Sequence, residues 1–244
     1  EKRGTENQVA TKRGVSMSGH LKLLAAPKRW NIHRRGSTFV TTPHPGPQSQ
    51  HLALPFVVVV RDMLHYAATA AEVKKLLYRT ELFVDGIRRQ DIHFPVGLFD
   101  VLSWKKNNKY YRLVLDTKGR IGCQEITAAD ATIKPSKIVR KTILPRGKIQ
   151  YQFHDGKTII SVRQATVGDT FVLTLPALEV TEVLPLKVGA TVFVTRGKYS
   201  GRVGIVQEIK GREARYSFHQ EEVGTVKEYL FVIGDTKPVI TLTS

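Results

Sequence analysis

The 244-residue sequence contains one cysteine, Cys123, and no apolar run of the roughly 18 residues that a membrane-spanning helix needs. A single cysteine cannot form a disulfide within the chain, which is typical of proteins from a reducing, intracellular compartment. The N-terminus has no basic segment followed by an apolar one, so no secretory leader is predicted. These absences favour a cytoplasmic protein without a membrane partner.

Patterns that carry catalysis or metal binding are also lacking. The eight histidines are scattered, with no metal-ligand spacing. Without a nucleophile elbow or a dinucleotide-binding motif, we predict no enzyme, catalytic residue, metal, cofactor or small-molecule substrate. His93 and His154 lie beside turns or strands and are expected to be structural or to face RNA. Asp85, Asp155 and Asp169 each adjoin a glycine and are predicted turn residues.

Acidic residues are scarce relative to basic ones. The chain has 38 Lys and Arg against 21 Asp and Glu, a net charge of +17 and a pI near 10.1. Such a surface attracts polyanions, nucleic acid first and an anionic membrane second. The excess lies mainly in residues 1–54 and 103–155, whereas residues 55–102 carry as many acidic as basic side chains. Nucleic-acid contact is therefore expected from the N-terminal and middle parts of the chain.

The N-terminal part has two different segments. Residues 1–16 are polar and without periodicity, which predicts a disordered extension. Residues 17–54 interleave basic side chains with an aromatic, as suits phosphate contact with stacking or insertion, and the prolines of residues 43–47 exclude a helix. We predict an arm that orders on RNA; a solvated basic tail is the alternative. Its candidate RNA-binding residues are Lys22, Lys28, Arg29, Trp30, Arg34 and Arg35.

Residues 55–102 predict two helices followed by a small sheet. The first helix carries the apolar run 56–60, and the second has Val73, Leu76 and Leu77 on one side. Asp85-Gly86 favours a two-residue hairpin turn. Asp62, next to Arg61, is expected to form a cap or a surface ion pair. The candidate RNA-binding residues here are Lys74, Lys75, Arg88 and Arg89.

Residues 103–185 alternate apolar and polar side chains in the manner of strands, with a basic turn at residues 116–120. A surface that follows phosphates is predicted here; a solvated face is the alternative. Its candidates are Lys118, Arg120, Lys134, Lys137, Arg140, Lys141, Arg146 and Lys148. Residues 186–244 contain a basic, glycine-rich loop between two strands. The loop is either an ordinary hairpin loop or an RNA contact through Arg196, Lys198 and Arg202.

Several motifs in this order, from His20 to Leu242, resemble the small-subunit ribosomal protein S4e family of archaea and eukaryotes. They are His20–Pro27, Pro45–Pro47, Phe83–Gly86, Phe94–Gly97, Asp116–Arg120, Phe153–Gly156 and Phe231–Gly234. The resemblance implies an α+β, mostly β fold. It divides the chain into an extended N-terminal arm (17–54), an S-four-type (alpha-L) RNA-binding module (55–102), a central β domain (103–185) and a C-terminal KOW or SH3-like barrel with its tail (186–244).

The resemblance also implies function. It suggests a structural constituent of the small ribosomal subunit in the cytoplasm, with small-subunit rRNA and neighbouring ribosomal proteins as partners. The alternatives are a KOW-type transcription-elongation factor and an RNA-modifying enzyme that carries the S-four-type module as an accessory. Two departures refine the expectation. Residues 69–73 lack the arginine common at the start of the second helix in such modules. The neutral module is therefore expected to position the neighbouring parts of the chain more than to bind RNA strongly. Eukaryotic members have a longer basic C-terminal tail, which favours an archaeal source.

Overall fold

The structure, a computed structural model, describes residues 19–79, 82–218 and 221–242. Strands dominate these ranges, which confirms the mostly β prediction. No helix within them is long and apolar enough to cross a membrane. The predicted disordered extension, residues 1–16, lies outside the described residues. Short 3-10 turns connect the strands at Leu23–Ala25, Gln50–Leu52, Lys105–Asn107, Asp130–Thr132, Pro145–Gly147 and Lys227–Tyr229.

The N-terminal arm is packed against the body. Strand β1 (Leu21–Lys22) pairs antiparallel with β2 (Phe39–Val40), and β3 (Ala53–Pro55) pairs with β6 (Pro95–Gly97). Trp30 is 1% exposed and forms an isolated bridge with Ile121. The prediction that Trp30 contacts RNA is therefore wrong, because its indole fills the hydrophobic core. Leu23, Ala26 and Val40 of the arm are buried in the same core, and the burial of this apolar surface stabilises the packed arm.

The first predicted helix starts directly after β3. Helix α1 (Phe56–Val58) continues as a π-helical turn over Val59–Met63. All five residues of the apolar run are buried, which explains why the sequence is apolar on every side here. At the exposed end Arg61 Nε donates to Asp62 Oδ1 at 2.6 Å, as the expected surface ion pair.

The second helix, α2 (Ala70–Arg79), begins at a capping box. The Glu72 amide donates to the Thr69 hydroxyl at 3.2 Å, and the Glu72 carboxylate accepts the Thr69 amide at 3.3 Å. These bonds lower the pKa of Glu72, chiefly through the backbone amides of Ala68 and Thr69. Val73 and Leu77 are buried against the body, which confirms the amphipathic pattern.

The first sheet extends from the predicted module into the predicted central domain. Its order is β5-β4-β7-β8-β9. Asp85 and Gly86 form the two-residue turn between β4 and β5, with φ of 51° and 77°, so the predicted hairpin is confirmed. The predicted boundary between residues 102 and 103 falls inside β7. The strands are β4 (Leu82–Val84), β5 (Ile87–Arg88), β7 (Val101–Trp104), β8 (Lys109–Leu115) and β9 (Ile121–Ile126).

The central sheet is organised around one long strand, β10 (Ile133–Ile143). Its first half pairs with β13 and its second half with β11, and the pairing shifts register after Ile138. Tyr151 and Phe171 lie at the centre of its core, with ring centroids 5.1 Å apart. The order is β12-β11-β10-β13-β14, from β11 (Ile149–Phe153), β12 (Thr158–Ser161), β13 (Thr170–Thr174) and β14 (Glu179–Leu184).

The C-terminal sheet has the order β18-β17-β16-β15-β19. Phe193 and Phe231 extend from it toward the N-terminal core, where their ring centroids lie 5.4 and 4.7 Å from that of Phe99. The C-terminal sheet therefore shares an aromatic core with the N-terminal part of the chain. The strands are β15 (Thr191–Val194), β16 (Val203–Lys210), β17 (Glu213–Phe218), β18 (Glu221–Val226) and β19 (Leu230–Gly234).

Candidate nucleic-acid interface

Two loops that the sequence predicted to be basic are docked against each other. A Cβ on Gly119, in the β8–β9 turn, would lie 2.2 Å from Ser200 Oγ in the β15–β16 loop. A Cβ on Gly201 would lie 2.0 Å from the Asp116 carbonyl oxygen. Only glycine permits backbones to approach this closely. The contact therefore joins the first sheet to the C-terminal sheet and brings the two basic loops together.

The cations on these docked loops are directed outward or stack on aromatic rings. The guanidinium of Arg202 is half-buried and lies 4.6 Å from the centroid of Phe218 and 5.2 Å from that of Tyr199. Its position is thus fixed by cation–π contacts. Four predicted residues of the two loops are exposed: Lys118, Arg120, Arg196 and Lys198.

The β10–β11 hairpin presents a second group of cations. Its tip at Arg146 and Gly147 has φ of 66° and 72°, and Leu144 N donates to Lys148 O at 2.8 Å. Lys141 Nζ donates to Ala165 O at 3.1 Å and lies over the Tyr151 ring. The exposed predicted residues of this hairpin are Arg140, Lys141, Arg146 and Lys148.

The arm cations differ in how they are held. Arg29 Nη1 donates to Thr195 O at 2.8 Å, which ties the arm to the C-terminal sheet. Arg34 donates to Ala26 O at 3.1 Å and to Pro27 O at 2.8 Å, and so closes the arm on itself. Because carbonyls already occupy these donors, both arginines serve the fold. The remaining predicted arm cations, Lys22, Lys28 and Arg35, are exposed.

The four predicted cations of the module lie at its periphery. Lys74 and Lys75 are exposed on α2, opposite its buried face. Arg88 donates to Tyr78 O at 3.1 Å. The guanidinium of Arg89 is half-buried and lies 4.4 Å from the Phe94 centroid. Of these four residues, only Lys74 and Lys75 are exposed and also lack a hydrogen-bond partner among the described residues.

Lys134 is not at the surface, so its prediction as an RNA contact is wrong. Its side chain is fully buried, and its ammonium lies 2.5 Å from Asp85, 2.5 Å from Asp100 and 2.9 Å from Asp155. Lys157 completes this ionic cluster, 2.7 Å from Asp85. A buried lysine is stable only when carboxylates compensate for the water it has lost. The local pattern of basic and apolar residues gave no sign of partners so distant in sequence.

The ionic cluster joins separate parts of the chain. Asp85 comes from the β4–β5 turn, Asp100 from the segment before β7, Lys134 from β10 and Asp155 from the β11–β12 turn. Gln48 of the arm also donates to Asp100 Oδ1 at 3.0 Å. The three carboxylates could in principle surround a metal ion, but the ammonium of Lys134 stands among them. The cluster therefore holds an internal cation that connects the first sheet to the central one.

The ionisation of the cluster follows from its burial. Burial alone would raise the pKa of Asp85, but the Lys134 and Lys157 ammonium groups outweigh it and bring that pKa to about 2. For Asp100 burial prevails, aided by the neighbouring Asp85 charge, and the pKa rises to about 6 although Lys134 opposes the shift. Because three carboxylates share two cations, Lys134 and Lys157, the carboxylates have different pKa values.

His154 lies beside the cluster as a neutral group. The Lys137 amide donates to its Nδ1 at 3.3 Å, so this nitrogen carries no proton. Burial lowers the pKa of His154 to about 4, and the nearby Lys134 ammonium adds to the shift. The expectation that His154 is structural agrees with these contacts. Lys137 is half-buried and donates to the carbonyls of Glu228 and Leu230, both at 2.7 Å.

Taken together, most predicted cations form an exposed surface over all four parts of the chain. Within the described ranges, Lys22, Lys28, Arg35, Arg140 and Arg146 form no ion pair with a carboxylate. A cationic surface of this kind on a β-rich fold is suited to attracting polyanions. The chain is 37% identical over 227 residues to "Small ribosomal subunit protein eS4" of Methanocella arvoryzae, covering 91% of this chain and 96% of that relative. The chain belongs to the small ribosomal subunit protein eS4 family.

Further comparisons agree. The eS4 protein of Methanocaldococcus jannaschii is 37% identical over 238 residues, with 91% and 97% of the two chains covered. Residues 107–180 match the model of Ribosomal family S4e, and residues 16–51 match the RS4NT (NUC023) domain. The crystal structure of the 30S ribosomal protein S4e from Thermoplasma acidophilum is similar, with a TM-score of 0.66 and 26% identity over 76% of this chain and 95% of that chain. The family resemblance seen in the sequence, with archaeal relatives, is confirmed.

Proposed function

We propose that this protein is a structural constituent of the small ribosomal subunit and binds small-subunit rRNA through phosphate and shape contacts. The observation that carries the proposal is the relationship to eS4 proteins, which extends over 91% of the chain and over 96–97% of two archaeal relatives. A relationship of this extent favours the same role for the whole chain. Placement in the cytoplasmic ribosome, beside other ribosomal proteins, is part of the proposal.

The exposed cations support RNA binding. Arm, module, hairpin and docked loops each present lysines or arginines to solvent, and phosphates would replace the counterions around them. Each contact should add about 0.7 to 0.9 to the salt exponent of binding, the steepness with which affinity falls as salt rises. The contacts would follow the backbone and shape of the RNA, with little selection among bases.

The four parts would have different roles. The five-stranded C-terminal sheet, β15 to β19, would form the KOW-type barrel, and its β15–β16 loop would contact RNA through Arg196 and Lys198. The neutral module, residues 55–102, would mainly position the other parts, with Lys74 and Lys75 as its contacts. The arm and the β10–β11 hairpin would supply most of the attraction.

The two alternatives have less support. None of the relatives compared above carries the name of a transcription factor or an RNA-modifying enzyme. Burial raises the pKa of the Cys123 thiol to about 12, so it would be a poor nucleophile at neutral pH. His154 is half-buried and hydrogen-bonded to backbone groups. These environments favour a non-enzymatic role.

Sedimentation of the native protein from a cell lysate tests the proposal. We expect it to migrate with the small ribosomal subunit and to stay there in moderate salt. Migration as a free protein, or together with RNA polymerase, would contradict the proposal and favour the transcription-elongation alternative.

A binding series tests the surface itself. Lys22, Lys28 and Arg35, all changed to Gln, should weaken binding to small-subunit RNA and lower the salt exponent by about 2 to 3. The matched control changes Lys187 and Lys210 to Gln, since both already pair with carboxylates, Asp235 and Glu208. Equal exponents for the two variants would exclude the arm as an RNA contact.

A further inference from the structure

A cavity of about 520 Å³ lies between the central and C-terminal sheets. Its size is in the range of binding sites for small ligands. Leu52 and Leu98 form one wall, Val139 and Val167 of the central part another, and Tyr229 lies on the C-terminal side. The lining also includes the rings of His154 and Phe231. The interior therefore offers an apolar surface with aromatic rings, wide enough for a planar heterocycle.

Four cations surround this apolar interior: Lys137, Arg196, Arg212 and Lys227. Glu228 is the one carboxylate among the lining residues. None of the four cations forms an ion pair within the described parts of the chain. The cavity thus combines apolar walls with an excess of positive charge that Glu228 offsets only in part, a composition that suits an anion carrying a flat apolar group.

Lys137 is the most enclosed of these cations. Two of its three ammonium donors are used by the carbonyls of Glu228 and Leu230, so one donor remains for a ligand. Burial, together with the charge of Lys227, outweighs the opposing charge of Glu228 and lowers the pKa of Lys137 to about 8. An anion in the cavity would favour the charged form of this ammonium.

The turn at Gly168 shapes the cavity wall. Its φ of 104° suits glycine, and a Cβ there would lie 3.4 Å from Lys227 Cε. The stem of Lys227 therefore passes close over this turn, from one sheet to the other. Gly168 N also donates to Ile138 O at 3.0 Å, which holds the turn on β10. The wall is consequently made of fixed backbone rather than a free loop end.

We propose that this cavity receives one unstacked nucleotide of small-subunit RNA. Its base would lie against Tyr229 and the apolar wall, and its phosphate would be held by Lys137, Arg212 and Lys227. Proteins commonly read RNA through single bases that leave the stack and pack on aromatic side chains. This inference rests on the RNA-binding function proposed above, but adds a base-binding site to its phosphate contacts. Arg212 and Lys227 were not among the residues predicted from the sequence.

Chemical footprinting of small-subunit RNA with the full chain tests the site. The probe is a reagent that modifies exposed base edges. Val167→Trp fills the cavity without changing charge, because Val167 is 50% exposed and lines it. Val162→Trp is the matched control, since Val162 is 97% exposed and does not line it. We expect the wild type and V162W to protect the same bases. V167W should lose protection at a single nucleotide and bind about ten-fold more weakly.

A second variant covers the charged side of the cavity. Arg212→Gln with Lys227→Gln should lose protection of the same nucleotide, whereas the carboxylate-paired control Lys187→Gln with Lys210→Gln should retain it. If V167W protects the same bases as the wild type, the cavity inference is overturned while RNA binding stands, whatever the charge variant does. If the wild type protects no nucleotide of the RNA, the proposed function fails and the inference fails with it.

Discussion

The ammonium of Lys134 lies 2.9 Å from the carboxylate of Asp155, and both side chains are buried from solvent. The two residues belong to different structural segments, β10 and the β11–β12 turn. Lysine is rarely buried in this way, because its ammonium loses the solvation of water. The pair persists because two further aspartates, Asp85 and Asp100, surround the same ammonium. The connection between the first and central sheets is therefore electrostatic as well as apolar.

Replacing Lys134 should destabilise the fold strongly. Lys134→Met would leave three buried carboxylates with only Lys157 to compensate them, and loss of one partner of a buried ion pair costs about 3–5 kcal/mol. Urea denaturation followed by circular dichroism measures this. Lys148→Met, at an exposed position, should change the free energy of unfolding by less than about 0.5 kcal/mol. Similar losses for the two variants would show that the cluster does not stabilise the protein.

Two groups of the cluster region should give opposite dependences of stability on pH. The folded-state pKa of Asp100 is raised to about 6, so its contribution is lost as pH rises from 4 to 6. The folded-state pKa of His154 is lowered to about 4, so its contribution is lost as pH falls from 6.5 to 4. Each change is on the order of 3 kcal/mol, and in the wild type they largely cancel.

Asp100→Asn should expose the His154 dependence. Between pH 6 and 4 the variant is expected to lose on the order of 3 kcal/mol more stability than the wild type, from the opposing shift that is removed. The groups facing Asp100 are Asp85 and Lys134, with the Gln48 side-chain amide and the Gly97 backbone amide. Denaturation curves at several pH values measure the slopes, and parallel slopes for the two proteins would contradict the assignment.

The close approach of the two basic loops predicts a specific glycine requirement. Gly201→Ala would place its Cβ 2.0 Å from the Asp116 carbonyl oxygen, whereas a Cβ on Gly197 meets open space. Both glycines have positive φ, 88° and 95°, so the strain of a left-handed alanine is shared by the two variants. Gly201→Ala should therefore lose about 1–3 kcal/mol more than Gly197→Ala, as measured by thermal or urea unfolding. Equal losses would mean that the loops are not docked.

Neighbouring arginines of the arm should have separable effects. Arg35→Gln removes an exposed cation and should lower the salt exponent of RNA binding by about 0.7 to 0.9. Arg34→Gln removes donors to Ala26 and Pro27, and should mainly speed limited proteolysis within the arm. Binding titrations over a range of salt concentrations and a protease time course distinguish them. Identical behaviour of the two variants would contradict the roles read from their contacts.

Local chemistry made part of this structure predictable. The Asp85-Gly86 turn and the amphipathic α2 depend on neighbouring residues, and both were predicted from the sequence. The burial of Lys134 and Trp30 depends on partners far along the chain. Lys134 contacts Asp85, which is 49 positions away. A basic residue in an alternating strand pattern looks the same in the sequence whether its side chain is solvated or buried. The same limit applies to Lys227, whose place at the cavity follows from the packing of two sheets.

Strand β10 carries lysines in two different environments along its length. Lys134, on the half that pairs with β13, is enclosed, and Lys141, on the half that pairs with β11, is exposed. The β10–β11 hairpin is therefore anchored at its base by the ionic cluster, while its basic tip extends into solvent. Cations held on such an anchored hairpin would lose little conformational freedom on binding phosphate.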